Sequence, residues 1–467
     1  MEITRRAAAA AIAATAAAPG AVRNQPAVAA ERAWDAFPAG FIWGVAASAA
    51  QTESRRGRGR SNWDVFADTP GRIRDGSTNA RCTEFDARYG EDIGLVAAAG
   101  ARAFRFSIAW PRVQPDGPGE ASAAGLDLYD RIVDEMLSAG LEPWPTLFHW
   151  DSPVWAGDFR ERAIAQRLAD YADLVVARLG DRISRWMLLN EANVVAVNGY
   201  LVGSHAPGLH DLKAASAAIH HQNLAQGLMA KAVRARLGAK AQVGSAVSLS
   251  PIVPATAGEA DAAAAASFWD IWAGALIEPM MGRPYPGAAS SLVAPYAMAG
   301  DAQIMAVHPD FLGVNYYARS YVRAGPPPLG FLPAPPPAGT IATDFFPFEP
   351  GGLTEILLQL TARYPKLPLV ITETGFAQRD PSPADGRVED PTRVAHLSAY
   401  VAAARAAIAG GADVRGLFYW AATDNWEWQQ GFSKHFGLVA LDPQTQLRTP
   451  KLSLAYFSAC ARANRVA

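Results

Sequence analysis

Ala103-Phe104-Arg105-Phe106-Ser107 is a short, mostly apolar run of strand type. Residues 126–139 follow with apolar side chains every three or four positions and charges between, the period of a helix with one buried face. Glu142-Pro143-Trp144-Pro145-Thr146-Leu147-Phe148 is again a strand, 164–179 again a helix, and Arg185-Trp186-Met187-Leu188-Leu189 a third strand. Strands joined by helical crossovers pair in parallel, and parallel strands are buried on both faces. The same alternation extends outward. A strand is expected at 40–45, and further ones at 241–247, 311–314, 369–372 and 414–419. Helical stretches at 83–99, 214–237 and 392–409 lie among them. Eight strand–helix units predict an α/β fold, a single-domain (β/α)8 TIM barrel. An open doubly wound sheet is the alternative, but no glycine-rich phosphate loop follows the first strand.

The roughly 435 residues after a short leader exceed the ~250 of a minimal barrel, so several βα loops must be long. One such excursion is expected at 324–339, which holds two triple-proline runs.

Composition narrows the function classes. Half of the 467 residues are hydrophobic and 18% are charged, with 13 Trp, which excludes a disordered chain. The 42 basic and 44 acidic side chains give a formal charge of −2 and no footprint for nucleic acid. Cys82 and Cys460 stand far apart with no Cys/His ligand spacing around them, so neither a disulfide scaffold nor a four-ligand zinc site is expected.

Residues 1–30 read as an export leader rather than as part of the globule. Thr4-Arg5-Arg6 supplies a twin arginine, residues 7–18 a weakly apolar stretch, and Ala27-Val28-Ala29 a small-x-small cleavage site. The apolar stretch is too short to span a bilayer, which takes ~20 residues. The expectation is a twin-arginine signal, a barrel domain over 31–467, and a periplasmic or secreted mature protein without membrane insertion. An Ala-rich leader left by a misplaced start codon is the plainer reading.

Chemistry on a barrel of parallel strands sits at the C-terminal strand ends. Those ends carry Arg105, His149-Trp150, Asn190-Glu191, Asn315-Tyr316-Tyr317, Glu373 and Trp420. Any one of them could be a strand merely reaching solvent; six ends together are not explained that way. Glu191 after strand four and Glu373 after strand seven can face each other across the barrel mouth. Paired carboxyls with aromatic platforms suit cleavage of a glycosidic bond, one attacking the anomeric carbon while the other protonates the leaving oxygen. Indoles cover the apolar face of a sugar, and amides and His hydrogen-bond its hydroxyls.

These residues sit in motifs that resemble glycoside hydrolase family one, the β-glucosidase family. The opening Phe37-Pro38-Ala39-Gly40-Phe41-Ile42-Trp43-Gly44 with Gln51 is similar to that family's, as are Arg105-Phe106-Ser107-Ile108-Ala109-Trp110 and Leu147-Phe148-His149-Trp150-Asp151. Asn190-Glu191, 311–317, Ile371-Thr372-Glu373-Thr374-Gly375 and Asp424-Asn425-Trp426-Glu427-Trp428 continue the likeness in order. The resemblance implies a retaining, exo-acting β-glycosidase, foremost a β-glucosidase with tolerance for galactosides or fucosides. The implied partner is a small β-glucoside or oligosaccharide, with no cofactor and no metal. It gives Glu373 as nucleophile, Glu191 as acid/base, and Asn190 as the partner of the sugar 2-hydroxyl. Gln51, His149, Trp150, Glu427, Trp428 and Trp420 would bind the sugar, Tyr317 would orient the nucleophile, Arg105 would keep it ionised, and Asn315 would support the acid/base side.

The chain departs from the family pattern at Ala192 (usually Pro), Thr374 (usually Asn) and Thr52-Glu53-Ser54 after Gln51, none of which removes a carboxyl. A phospho-β-glycosidase or transglycosidase on the same scaffold is the second reading, with Lys434 as the cation that could offset Glu427. A decayed sugar-binding protein is the third, and both glutamates argue against it. His205, His210, His220 and His221 are expected to be exposed or capping rather than metal-binding, and 55–60, rich in arginine, to be a solvated loop. Asp64 and Asp86 are expected to cap helices or bond loops.

Overall fold

Val, Ile, Leu and Phe crowd each predicted strand, and a strand apolar on both faces is stable only when covered on both. The computed structural model, which describes residues 36–467, covers them by closing the sheet on itself. Eight strands form the barrel: β1 (Ile42–Ala46), β2 (Ala103–Ser107), β3 (Glu142–Phe148), β4 (Arg185–Asn190), β5 (Gln242–Ser248), β6 (Phe311–Asn315), β7 (Leu369–Thr374) and β8 (Val414–Trp420). Each pairs in parallel with its sequence neighbours, and β1 closes the ring against β8 with Ile42 opposite Gly416 and Ala46 opposite Trp420. The (β/α)8 expectation holds. Strand ends differ by one or two residues from the apolar runs, mostly at the C-terminal side. There backbone pairing continues after hydrophobicity stops, as where Glu373 lies opposite Asn315.

The barrel interior is packed. Trp144, Met187, Phe311, Val370 and Phe418 fill it, each at most 5% exposed. Gly44 serves that packing, since a Cβ there would lie 2.4 Å from the Phe418 ring. Helices α1 (Phe85–Ala98), α2 (Ala123–Ser138), α3 (Ala163–Leu179), α4 (Leu212–Leu237), α5 (Pro350–Arg363), α6 (Pro391–Ala409) and α7 (Leu452–Ala463) are among those packed outside it. Between β5 and β6 the crossover is broken into short helices, Glu259–Trp269, Ala275–Met280, Gly287–Val293 and Asp301–Met305.

Three loop expectations change. Part of 324–339 is not a bare excursion: Phe331–Pro333 pairs antiparallel with Ser320–Ala324. The arginine tract is only partly solvated, because the Arg58 side chain is buried and holds Asp64 through two bonds of 2.6 and 2.8 Å. His220 and His221 are buried in the body of α4 rather than exposed at its start, and His205 is half-buried. His220 bonds Asp301 at 2.8 Å and Tyr285 at 3.0 Å, so it is a packing residue. Asp64 and Asp86 behave as expected: Asp64 completes a capping box with Ser61, and Asp86 accepts from the Ser54 backbone and hydroxyl. Among the described residues no helix is long and apolar enough to cross a membrane. The proposed leader and the boundary at residue 30 lie outside the described residues.

Candidate active site

The strand ends converge on one cavity of about 290 Å³ at the C-terminal mouth. Its wall includes His149, Trp150, Glu191, Tyr317, Glu373, Trp420, Glu427 and Trp428, all named from the sequence. Arg105, Gln51, Asn190 and Asn315 join through hydrogen bonds from behind. A second cavity of about 320 Å³ opens at the opposite end, where Trp144, Arg185 and Asp310 stand at strand beginnings, and it holds no facing pair of glutamates.

Glu373 is the better-served carboxyl. Arg105, fully buried, donates to its Oε1, and the Tyr317 hydroxyl donates to Oε2 at 2.9 Å. Burial pushes the Glu373 carboxyl up; Arg105, Tyr317 and Asn315 oppose this by stabilising the ionised form. Among the described residues Glu191 has no ion-pair partner of its own. Burial and the charge of Glu373 push it up to about 8, against smaller contributions from Asn315 and Arg105. Two neighbouring carboxyls that share one proton keep it on the one with fewer donors, which is Glu191. Glu427 is likewise pushed up to about 8, by burial and then by Glu373, while Trp420 and Gln51 pull it down. The Gln51 amide donates to Glu427 at 3.1 Å and to Asn425 at 3.0 Å, and Ser48 fixes its carbonyl at 2.7 Å.

A chain of amides sets the orientation of the first pair. Arg105 donates to Asn190 Oδ1 at 2.5 Å and Asn315 donates to the same atom at 3.1 Å. The Asn190 Nδ2 group therefore donates to His149 Nε2, 2.9 Å away, which must be an acceptor there. Burial, then Arg105, holds His149 well below its ordinary value, so it stays neutral. Thr372 donates to Asn315 at 2.6 Å and completes the chain.

Backbone strain gathers at the same wall. Trp150, Glu191 and Trp428 all have positive φ, at 79°, 46° and 49°, which non-glycine residues adopt only when their surroundings enforce it. For Glu191 the enforcement is visible: its N–H bonds the Ala246 carbonyl at 2.8 Å, and Gln222 holds the Ala192 carbonyl at 3.0 Å. The loop is tied without the proline that the family carries at Ala192. Thr374 is buried, and among the described residues its hydroxyl finds no hydrogen-bond partner.

Sequence reasoning missed part of the wall. Trp63 stands behind it, 4.4 Å from Trp428 and 6.3 Å from Trp150 between ring centres. His205 meets Trp150 edge-on at 5.4 Å. Trp272, Phe345 and Phe346 stand on the outer wall. All five belong to loops or to segments outside the barrel strands, where the strand pattern does not fix a residue's place. Lys434 does not face Glu427: it donates to the Asp344 carbonyl at 2.7 Å and lies over the Phe345 ring. Away from the cavity, Asp380, Asp424 and His435 come close enough together to hold a cation. Lys451 already occupies their midst, bonding Asp380 and, at 2.7 Å, Asp424.

The chain is similar in sequence and fold to known proteins. The family model described as Glycosyl hydrolase family 1 matches residues 33–466. The thermostable beta-glucosidase B of Thermobispora bispora is 39% identical, over 92% of this chain and 91% of that one. A bifunctional beta-D-glucosidase/beta-D-fucosidase of Bifidobacterium breve is 37% identical, over 90% and 97%. Among solved structures, a family 1 β-glucosidase from Thermotoga maritima superposes with a TM-score of 0.87 at 33% identity, covering 93% of this chain and 99% of that one. The same scores hold for that enzyme in complex with deoxynojirimycin, which covers 93% and 100%.

Proposed function

The chain belongs to glycosyl hydrolase family 1 and is a glycoside hydrolase, and on that premise we propose that it is a retaining, exo-acting β-glucosidase. One observation carries the reading. Two glutamates share a buried cavity, and the donors are distributed so that Glu373 favours the anion and Glu191 the acid.

Glu373 attacks the anomeric carbon while Glu191 delivers its proton to the departing oxygen, leaving a glycosyl ester on Glu373. With the Glu373 charge consumed, Glu191 becomes the stronger acid and serves as base toward the incoming water. Asn190, with one N–H committed to His149, keeps another for the sugar 2-hydroxyl. Gln51 and Glu427 take the hydroxyls at the far end of the ring, and Trp420 and Trp428 cover its faces. Ring hydroxyls suit a neutral hexose here, because no lysine or arginine lines the described cavity. Hydrolysis of a panel of aryl β-glycosides, with the product anomer followed by NMR, tests the reading. The β-glucoside should be cleaved with retention; an α-configured first product or no cleavage of any β-glycoside would overturn it.

We propose further that residues 1–30 are a twin-arginine signal and that the mature enzyme, 31–467, acts outside the cytoplasm. Arg5-Arg6 and the Ala27-Val28-Ala29 site support this.

A further inference from the structure

Resting on the β-glucosidase reading, the geometry points to an aromatic leaving group, so that the preferred substrates are aryl-bearing β-glucosides rather than cello-oligosaccharides. The inner part of the cavity is closed: Glu191, Glu373, His149 and Trp420 are at most 7% exposed and Glu427 is half-buried, as polar groups of a fitted sugar site should be. The group that departs from Glu191 must leave toward the open side. That side is built from aromatic rings. Phe345 and Phe346 are 36% and 37% exposed, and Trp272 is half-buried.

What these rings can offer is apolar surface and little else. Phe346 stacks on Tyr317 at 4.7 Å and 22°, and Phe345 meets Phe346 edge-on at 4.5 Å. The Tyr317 hydroxyl is already committed to Glu373. Trp272 spends its indole N–H on the Ser248 carbonyl at 2.8 Å, and Phe268 stacks on it at 5.6 Å. Lys434, the nearby cation, is bonded to the Asp344 carbonyl. A second glucose placed here would bring several hydroxyls against the rings of Tyr317, Phe345, Phe346 and Trp272, which have no N–H or O–H left to donate, and unmet hydroxyls are costly to desolvate. The remaining polar side chains are Asn198, Ser204, His205, Ser248 and Gln429, and of these Ser204 and His205 already bond each other at 3.2 Å. A flat apolar group loses nothing by desolvation and gains ring–ring contact.

The test separates binding from leaving-group chemistry by comparing alcohols of similar basicity. kcat/KM is measured for benzyl β-glucoside, methyl β-glucoside and cellobiose on the full enzyme. Benzyl should exceed cellobiose, and the benzyl-to-methyl ratio should fall roughly three- to tenfold in each of Phe345→Ala and Trp272→Ala, the range expected for one lost aromatic contact. Phe345→Tyr should restore most of it. Cellobiose cleaved as well as benzyl β-glucoside, or a ratio unmoved in both variants, would overturn the inference while leaving the β-glucosidase reading intact. Failure to cleave any of the three, together with all aryl β-glucosides, would instead overturn that underlying reading.

Discussion

Removing the charge of Glu373 should lower the pKa of Glu191, and by an amount that the site itself sets. Glu191 stands at about 8, raised first by burial and second by Glu373. Retaining carboxyl pairs lie ~5–5.5 Å apart. At an effective permittivity of ~20 two unit charges at that distance repel by ~3 kcal/mol, equivalent to about two pH units. Glu373→Gln should therefore bring Glu191 down to about 6, and so should trapping the ester with a 2-fluoro glucoside, which consumes the same charge. Titration of labelled glutamate carboxyls by 13C NMR in the free enzyme, the variant and the trapped ester reads this directly. The pH profile of kcat/KM gives the same answer functionally. Its basic limb falls as Glu191 ionises near pH 8, and the part of it due to Glu191 is lost in Glu191→Gln. Glu427 titrates in the same range, so a limb that persisted in that variant would belong to Glu427. A Glu191 that titrates at one pH in all three forms would refute the shared-proton argument.

Glu373→Gly should lose turnover by several orders of magnitude, and azide should restore it with the opposite anomeric product; near-normal activity without azide would move the nucleophile elsewhere. A neutral β-glucoside should be strongly preferred over its 6-phosphate, and Glu427→Ser should relax the preference, both read as kcat/KM ratios; equal cleavage of the two by the wild type would remove the neutral-hexose reading. Glu427→Gln should gain stability relative to wild type as pH rises. The folded carboxyl holds its proton more tightly than the unfolded one, so the wild type's contribution is fullest below about 4.5 and is lost on the way to about 8; Tm measured at pH 5 and pH 9 checks the sign. N-terminal sequencing of the native protein should find a start near Ala30, and an intact Met1 in the cytoplasm would exclude export.

The barrel was readable because its strands are apolar on both faces and its helices on one, so periodicity alone separates them. Where that contrast fails, so does the reading. Six of the eleven residues 259–269 are alanine and carry no two-sided pattern, and the helix there, running into a π turn at Asp270–Gly274, was not foreseen. Residues His220 and His221 were misplaced for the opposite reason: α4 is buried along most of its length, so polar residues in it sit inside rather than out. The site was readable at strand ends, since a polar residue closing an apolar run has a fixed place on a barrel. Trp63, His205, Trp272, Phe345 and Phe346 owe their places to loop contacts that no local pattern encodes.

Glu427 shows how the assembled site changes an argument made from residue types. Read alone, it is a carboxylate that repels a phosphate. In the cavity it stands half-buried beside two buried carboxyls, Glu191 and Glu373, and Arg105 is the only guanidinium bonded to any of the three among the described residues. Burial and mutual repulsion then make it favourable to hold protons at neutral pH, and Glu427 at about 8 keeps one much of the time. Protonated, it donates to a sugar hydroxyl as well as accepting, which widens its use toward neutral hexoses. Selection against a phosphate, carrying about −1.5 to −2 charges, thus rests less on one fixed anion than on the whole balance. Adding that charge to a dry pocket which already retains protons, with Lys434 turned to the Asp344 carbonyl, leaves nothing to neutralise it. The same scarcity of cations that keeps Glu191 an acid keeps the sugar site neutral.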